Sequence, residues 1–184
     1  EMMVGAHFPR MSTPRTVLVL TYWSYADALI QTYTLPYLRI MLEVMPAGSR
    51  IHLVTLEKDP QTKLEGMDPG ITVHTFAYRP FGLRALGMIL AVLLKCIAII
   101  RRERVDVIHA WCTPAGMFGY ILSLLTGRSL ILDSYEPHAE AMVENGTWDR
   151  GGVAFRTLFH FERLQSRRAK VLIAAAEGMR EYAR

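Results

Sequence analysis

The chain has 184 residues, a formal net charge of +4, and 51% hydrophobic against 21% charged residues, a composition that excludes an intrinsically disordered chain and suffices for one domain with a full core. Its two cysteines, Cys96 and Cys112, exclude a disulfide framework and have no partner at metal-ligand spacing, so both are expected to be packed thiols in a reducing compartment. The mild basic excess suits a nucleotide, a phosphate-bearing ligand or an anionic membrane, or is ordinary solvated surface; no nucleic-acid motif accompanies it.

The lead, EMMVGAHFPRMSTPR, lacks a continuous apolar run of signal-peptide length and reads as disordered over residues 1–15, with Met11 a candidate start. Thr16 to Leu20 is a first strand, followed by an aromatic and polar loop from Thr21 to Asp27. Ala28 to Met45 has helical spacing, with a kink or restart near Pro36 that Thr34 could cap. Ile51 to Thr55 is a second strand. Glu57 to Gly70 carries charges, prolines and glycines and reads as a loop, and Ile71 to Phe76 is a third strand. A long helix is expected from Leu83 to Arg104, then a strand over Val105 to Ala110. Pro114 opens the next helix and Gly127 ends it. Leu130 to Asp133 is a fifth strand, Val153 to Arg168 a helix, Val171 to Ala175 a sixth strand, and Glu177 begins a last helix. Strands alternating with helices in this order predict an α/β fold, a doubly wound Rossmann-like parallel sheet over residues 16–184. The pattern stops inside a helix at Arg184, so the chain reads as part of a longer protein.

The segment from Arg79 to Arg104 has basic ends and an apolar middle of about 16 residues interrupted by Lys95, short of the roughly 20 that cross a bilayer. Three readings are open: a helix buried against the sheet, a helix lying in a membrane surface with its arginines among lipid phosphates, and a true span.

Ligands of open α/β sheets bind outside the carboxyl ends of the strands. The first such loop contains Tyr22, Trp23, Ser24, Tyr25 and Asp27, which could line a cleft and stack on sugars or lipid chains, or form a packed aromatic loop. It has neither GxGxxG nor a Walker lysine, which argues against a standard dinucleotide or P-loop site. His109 ends the fourth strand, as a ligand contact or a structural histidine; Ala115, Gly116 and Gly119 after it permit close helix packing. The fifth strand breaks into Asp133, Tyr135, Glu136, His138 and Glu140. Tyr135, Glu136 and His138 are candidate catalytic residues, with an acid or base role open to Glu136 or His138; alternatively the group caps a helix and holds a loop. No PCxxC follows to make a deaminase zinc site, and no GxSxG makes a hydrolase elbow.

Strand TVLVL, the block VDVIHAWCTPAGMFGYILSLLTGRSLILDSYEPHAE and the closing RRAKVLIAAAEGMREYAR together resemble the amino-terminal half of family-four retaining glycosyltransferases, across nearly the whole chain after Thr16. In that family a D-V-I-H-A strand leads to a glycine-bearing helix, then to a strand ending near D-x-H-E and to A-D-x-V-I-A-V-S-E-G-M, matched here from Ala169 to Met179. Two departures stand out. Ser24 to Ala28 replaces the family's glycine pair, and Tyr135 stands where a histidine is expected, leaving His138 to take its place or the site to work differently.

The resemblance implies the GT-B architecture, two Rossmann-like domains facing a cleft, of which this chain is the acceptor-side half. Tyr22, Trp23, Ser24, Tyr25, Asp27 and His109 are then expected on the acceptor side. The donor, a nucleotide-diphosphate sugar, would be held by a carboxyl-terminal domain outside this chain, and the chain alone is expected to be inactive. The family transfers with retention, without metal or other cofactor, to a glycan or lipid-linked acceptor. A cytoplasmic place follows, with peripheral contact through residues 79–104 on the inner membrane face. Two rivals remain: a non-catalytic, membrane-associated Rossmann-like binding module, favoured by the lost glycines and histidine, and an oxidoreductase or other nucleotide-binding enzyme.

Overall fold

A computed structural model describes residues 13–59, 64, 68–79, 83–135 and 137–174. Its strands are β1 (Thr16–Leu20), β2 (Arg50–Glu57), β3 (Ile71–Ala77), β4 (Val107–Trp111), β5 (Ser129–Tyr135) and β6 (Val171–Ala174). The helices are α1 (Leu35–Val44), α2 (Leu83–Arg102), α3 (Thr113–Thr126), α4 (His138–Glu144) and α5 (Val153–Arg168). The strands form one parallel sheet in the order β3-β2-β1-β4-β5-β6, with Val19 registered between Leu53 and His109. This is the predicted doubly wound Rossmann-like sheet. Its strand order reverses between β1 and β4, where such sheets open a crevice.

The strands β1, β2 and β4 are buried on both faces, which is why they are mostly apolar, whereas the edge strands β3 and β6 are partly exposed. Val17, Val19, Ile51, Leu53 and Trp111 pack with Leu35 and Leu38 of α1. Leu18, Leu20, Val54, Leu56, Ile108 and Ala110 pack on the other face with α2 and α3. Leu18, Val19, Ile51, Leu53 and Ile108 are fully buried, each worth about 1.5–3 kcal/mol of burial. At the amino end, the Asp106 carboxylate accepts from Thr16 N at 2.9 Å and from the Arg15 guanidinium at 3.1 Å, fastening β1 beside β4.

Several boundaries differ from the sequence reading. No helix restarts at Pro36. Residues Ile30–Thr34 form a π-helical turn that runs straight into α1, and Thr34 is helical and makes no capping bond. The wider turn accommodates a proline that has no N–H to donate. Strand β2 extends through Glu57, so that residue ends a strand instead of opening a loop. Strand β4 begins at Val107, because α2 ends in a turn at Arg104 with φ 53°. Strand β5 continues two residues past Asp133. Pro114 in the first turn of α3 and Gly127 at its end, with φ 70°, stand as expected. The segment from Ala175 to Arg184, with its expected helix from Glu177, lies outside the described residues.

Helix α2 has two faces. Val92, Cys96, Ile99 and Ile100 are buried on the sheet, and burial pushes the Cys96 thiol up to about 12. Leu83, Leu86, Leu90 and Leu94 are 56–88% exposed along the other side. By length and composition the helix could cross a membrane. In this fold it instead connects β3 to β4 and contributes to their core.

The small residues of α3 serve different neighbours. A Cβ on Gly119 would lie 2.8 Å from Leu130 Cδ1 and 3.1 Å from Ala110 Cβ, so this glycine lets the helix rest on the sheet. A Cβ on Gly116 would meet the Gln165 side chain of α5. We predict that Gly119→Val lowers stability by about 1–3 kcal/mol through overpacking, read as a lower urea midpoint.

At the amino half of the same face, His52 Nδ1 and His74 Nε2 lie 3.1 Å apart with stacked rings. Arg50, Lys95, Arg102 and Glu103 surround them. Burial lowers both imidazole pKa values. Glu103 opposes this at both rings, whereas Arg50 lowers His52 further and His52 and Lys95 lower His74 further. The fold therefore favours the neutral rings. Below the ordinary value of 6.5 the unfolded chain binds protons first, so stability should fall as pH drops through and below that value. Replacing both histidines by asparagine should flatten the decline, measured as urea midpoint against pH.

Candidate functional site

The carboxyl edge of the sheet collects the loops after β1, β2, β3, β4 and β5. The loop after β1 is built around an internal carboxylate. Glu57, 5% exposed at the end of β2, accepts from Thr55 Oγ1 at 2.6 Å, from Tyr25 N at 3.0 Å and from the Ser24 hydroxyl in a short hydrogen bond. A carboxylate taken from water needs such donors. Glu57 thus takes a loop amide of the kind that a glycine-rich turn would offer to a phosphate. Trp23 O accepts from Leu56 N, and its ring packs against both cores. Tyr25 is 1% exposed in the α1-side core. Asp27 Oδ1 accepts from Leu29 N at 2.9 Å and starts the following helical turn.

Beneath the crevice on the α1 side, His109 Nε2 and Asp133 Oδ2 are 3.1 Å apart and both side chains are about 95% buried. Trp111 and Tyr37 pack around the imidazole. The Tyr37 phenol is held above its ordinary value by burial first and by the Asp133 charge second. His109 therefore occupies the interior of the domain, tied to a carboxylate from the adjacent strand.

The open space lies on the opposite face. A cavity of about 520 Å³ sits between α2, α3 and α5, with Tyr22, Arg79 and His138 on its wall. These three follow β1, β3 and β5. Tyr22 meets Tyr78 through their hydroxyls at 3.1 Å, with rings edge to face at 5.6 Å. Burial, then the Tyr78 contact, raises the Tyr22 pKa, so its phenol stays protonated and able to donate. His138 begins α4 and lies edge-on to Trp148 at 6.5 Å. The start of α4 is fixed from below, because Ala139 N donates to the buried Glu162 carboxylate at 2.8 Å. Cys112, between β4 and α3, has φ 69° and ψ 160°, a conformation that costs a non-glycine residue on the order of 1–3 kcal/mol and tends to occur at functional sites.

The structure thus brings together Tyr22 and His138 from the sequence candidates. Ser24 and Tyr25 are gathered at Glu57, Asp27 caps a helical turn, and His109 is buried with Asp133. Tyr135 ends β5; its side chain, and all of Glu136, lie outside the described residues. Sequence reasoning passed over Glu57 and Trp148 as site residues, and read Arg79 as a basic flank of the hydrophobic segment among lipid phosphates. Glu57 carried the same signal as Asp133, a carboxylate at the carboxyl end of an apolar strand. Among the described residues no group of three or more histidine, cysteine or acidic side chains could hold a metal ion.

This architecture recurs in known proteins. It superposes on sucrose-phosphate synthase of Thermosynechococcus elongatus with a TM-score of 0.65 at 14% identity, over 92% of this chain and 44% of that one. It also superposes on a protein assigned as UDP-N-acetylglucosamine 2-epimerase from Listeria monocytogenes, with a TM-score of 0.60 at 9% identity, over 93% of this chain and 42% of that one. The chain therefore spans under half the length of each. No curated protein matches the sequence directly. The family model described as glycosyl transferase 4-like domain matches residues 31–184, most of the chain. The chain belongs to the glycosyl transferase 4-like domain family, and its fold is one Rossmann-like half of a GT-B architecture.

Proposed function

We propose that this domain is the acceptor-binding half of a retaining glycosyltransferase that moves a hexose from a nucleotide-diphosphate sugar to a glycan or lipid-linked acceptor. The observation that carries the reading is the family match over residues 31–184, joined to a cavity at the carboxyl edge of the sheet. In this reading a second domain holds the donor across a cleft. The sugar C1–O bond to the diphosphate breaks, and a new C1–O bond to the acceptor hydroxyl forms on the same face. The departing phosphate takes the acceptor proton, so neither a metal nor an organic cofactor is required.

In this reading Tyr22, a protonated phenol, and His138, at the start of α4, orient the acceptor hydroxyl; that both line one cavity supports the assignment. His138→Ala in the intact enzyme should lower turnover about 100-fold while the melting temperature stays near that of the wild type. Unchanged turnover would remove His138 from the site.

The exposed leucines of α2 and its basic residues Arg84, Lys95, Arg101 and Arg102 support peripheral attachment to an anionic cytoplasmic membrane face. Sedimentation with anionic vesicles should show binding of the intact protein. Leu90→Glu combined with Leu94→Glu should weaken it at least about tenfold. Equal binding by that variant would place the attachment elsewhere.

A further inference from the structure

The cavity beside α2 has a polarity that distinguishes between acceptor classes. Its body is apolar, walled by Met88 and Ile89 of α2, Met117, Phe118 and Ile121 of α3, and Trp148. Its volume of about 520 Å³ lies within the roughly 300–1,000 Å³ range of small-molecule pockets. Three of its polar groups, on Tyr22, Arg79 and His138, come from the segments that follow strand ends, whereas the apolar wall comes largely from helices α2 and α3. A ligand that satisfies both parts is an amphiphile with its head at the strand ends and its hydrocarbon among the helices.

Two further observations choose the head and the point of entry. Arg79 and Arg84 line a shallow groove that shares Met88 with the cavity wall, and neither makes an ion pair among the described residues. An anionic head would meet two cations there. Val153 lines the cavity and is 82% exposed, and Ala85 lines it from α2, next to the exposed Leu86. The mouth thus opens beside the exposed leucines of α2, so hydrocarbon could enter from an apolar surface without crossing water.

We propose that this slot binds the hydrocarbon segment of an acceptor carrying a phosphate close to its chain, with the phosphate at Arg79 and Arg84 and the sugar-accepting hydroxyl near Tyr22 and His138. The inference rests on the proposed transferase reading and narrows its acceptor from any glycan to a phosphorylated amphiphile.

Trp148 in the wall provides the readout. The probe is a terminally brominated dodecyl phosphate, used below its micelle concentration, and bromine quenches indole fluorescence on contact. With the intact protein the probe should quench saturably. Trp148→Phe should remove most of that quenching while calorimetry still records binding. Ala154 is exposed on the cavity lining, so Ala154→Phe should fill the mouth without disturbing the core and weaken binding roughly tenfold, about 1.4 kcal/mol. Arg79→Ala should weaken the phosphate probe several-fold more than the matching brominated dodecanol. Val44→Glu, at an exposed position of α1 on the opposite face of the sheet, should leave the quenching unchanged.

Absence of saturable quenching, equal affinity in Ala154→Phe, or loss of quenching in Val44→Glu would overturn the slot. Equal losses of phosphate and alcohol probes in Arg79→Ala would overturn the placement of the head. The two readings fail separately. Sugar transfer to a water-soluble glycan without probe binding sinks the slot alone, whereas probe binding without any sugar transfer sinks the transferase reading and leaves a lipid-binding site.

Discussion

A parallel sheet delivers the carboxyl end of every strand to one edge, and the site depends on that constraint. The first strand supplies Tyr22, the second Glu57, the third Arg79 and the fifth His138, although they are far apart in sequence. The reversal of strand order between β1 and β4 separates the connecting helices onto opposite faces, with α1 on one side and α2, α3 and α5 on the other. The two faces then diverge in character. The α1 side closes over His109, Asp133 and Trp111, whereas the other side leaves a slot between helices.

Buried carboxylates organise the loops of this edge. Glu57 receives the first loop, Asp133 meets His109, and Glu162 receives the start of α4. Each is a carboxyl group removed from water and hydrogen-bonded locally, an arrangement that costs stability when one partner is removed and so holds the loops in place. The absent glycine pair is understandable in these terms. A glycine-rich turn leaves its amides free for phosphate, whereas here Glu57 takes the amide of Tyr25.

Much of the fold was legible because period and punctuation agree. Alternating apolar runs and helical spacing revealed six strands in their right places, and Pro114 and Gly127 marked the limits of α3. The errors have local causes. Pro36 suggested a restart, but a π-helical turn absorbs a missing donor without ending a helix. Glu57 looked like the first residue of a loop because charge usually marks surface, yet its partners Ser24 and Thr55 allow it inside. The candidate site was less legible. Tyr22 and His138 were noticed as strand-end residues, but that they share one cavity depends on how α2, α3 and α5 pack. Trp148 had no motif around it, and Arg79 was read only as a basic flank of the hydrophobic segment. Helix α2 shows the same limit: its composition announced hydrophobicity, and only packing revealed which leucines remain outside.

The central claim is that the domain serves a transferase that retains configuration at the sugar carbon. The most direct measurement is proton NMR of the first product formed by the intact protein, supplied with a nucleotide-diphosphate hexose and an alkyl phosphate acceptor carrying a free hydroxyl. The account predicts release of the nucleoside diphosphate and a new glycosidic bond with the anomeric configuration of the donor. An inverted product would contradict the mechanism. Turnover of the nucleotide sugar without any glycosidic product would contradict the assignment as a transferase.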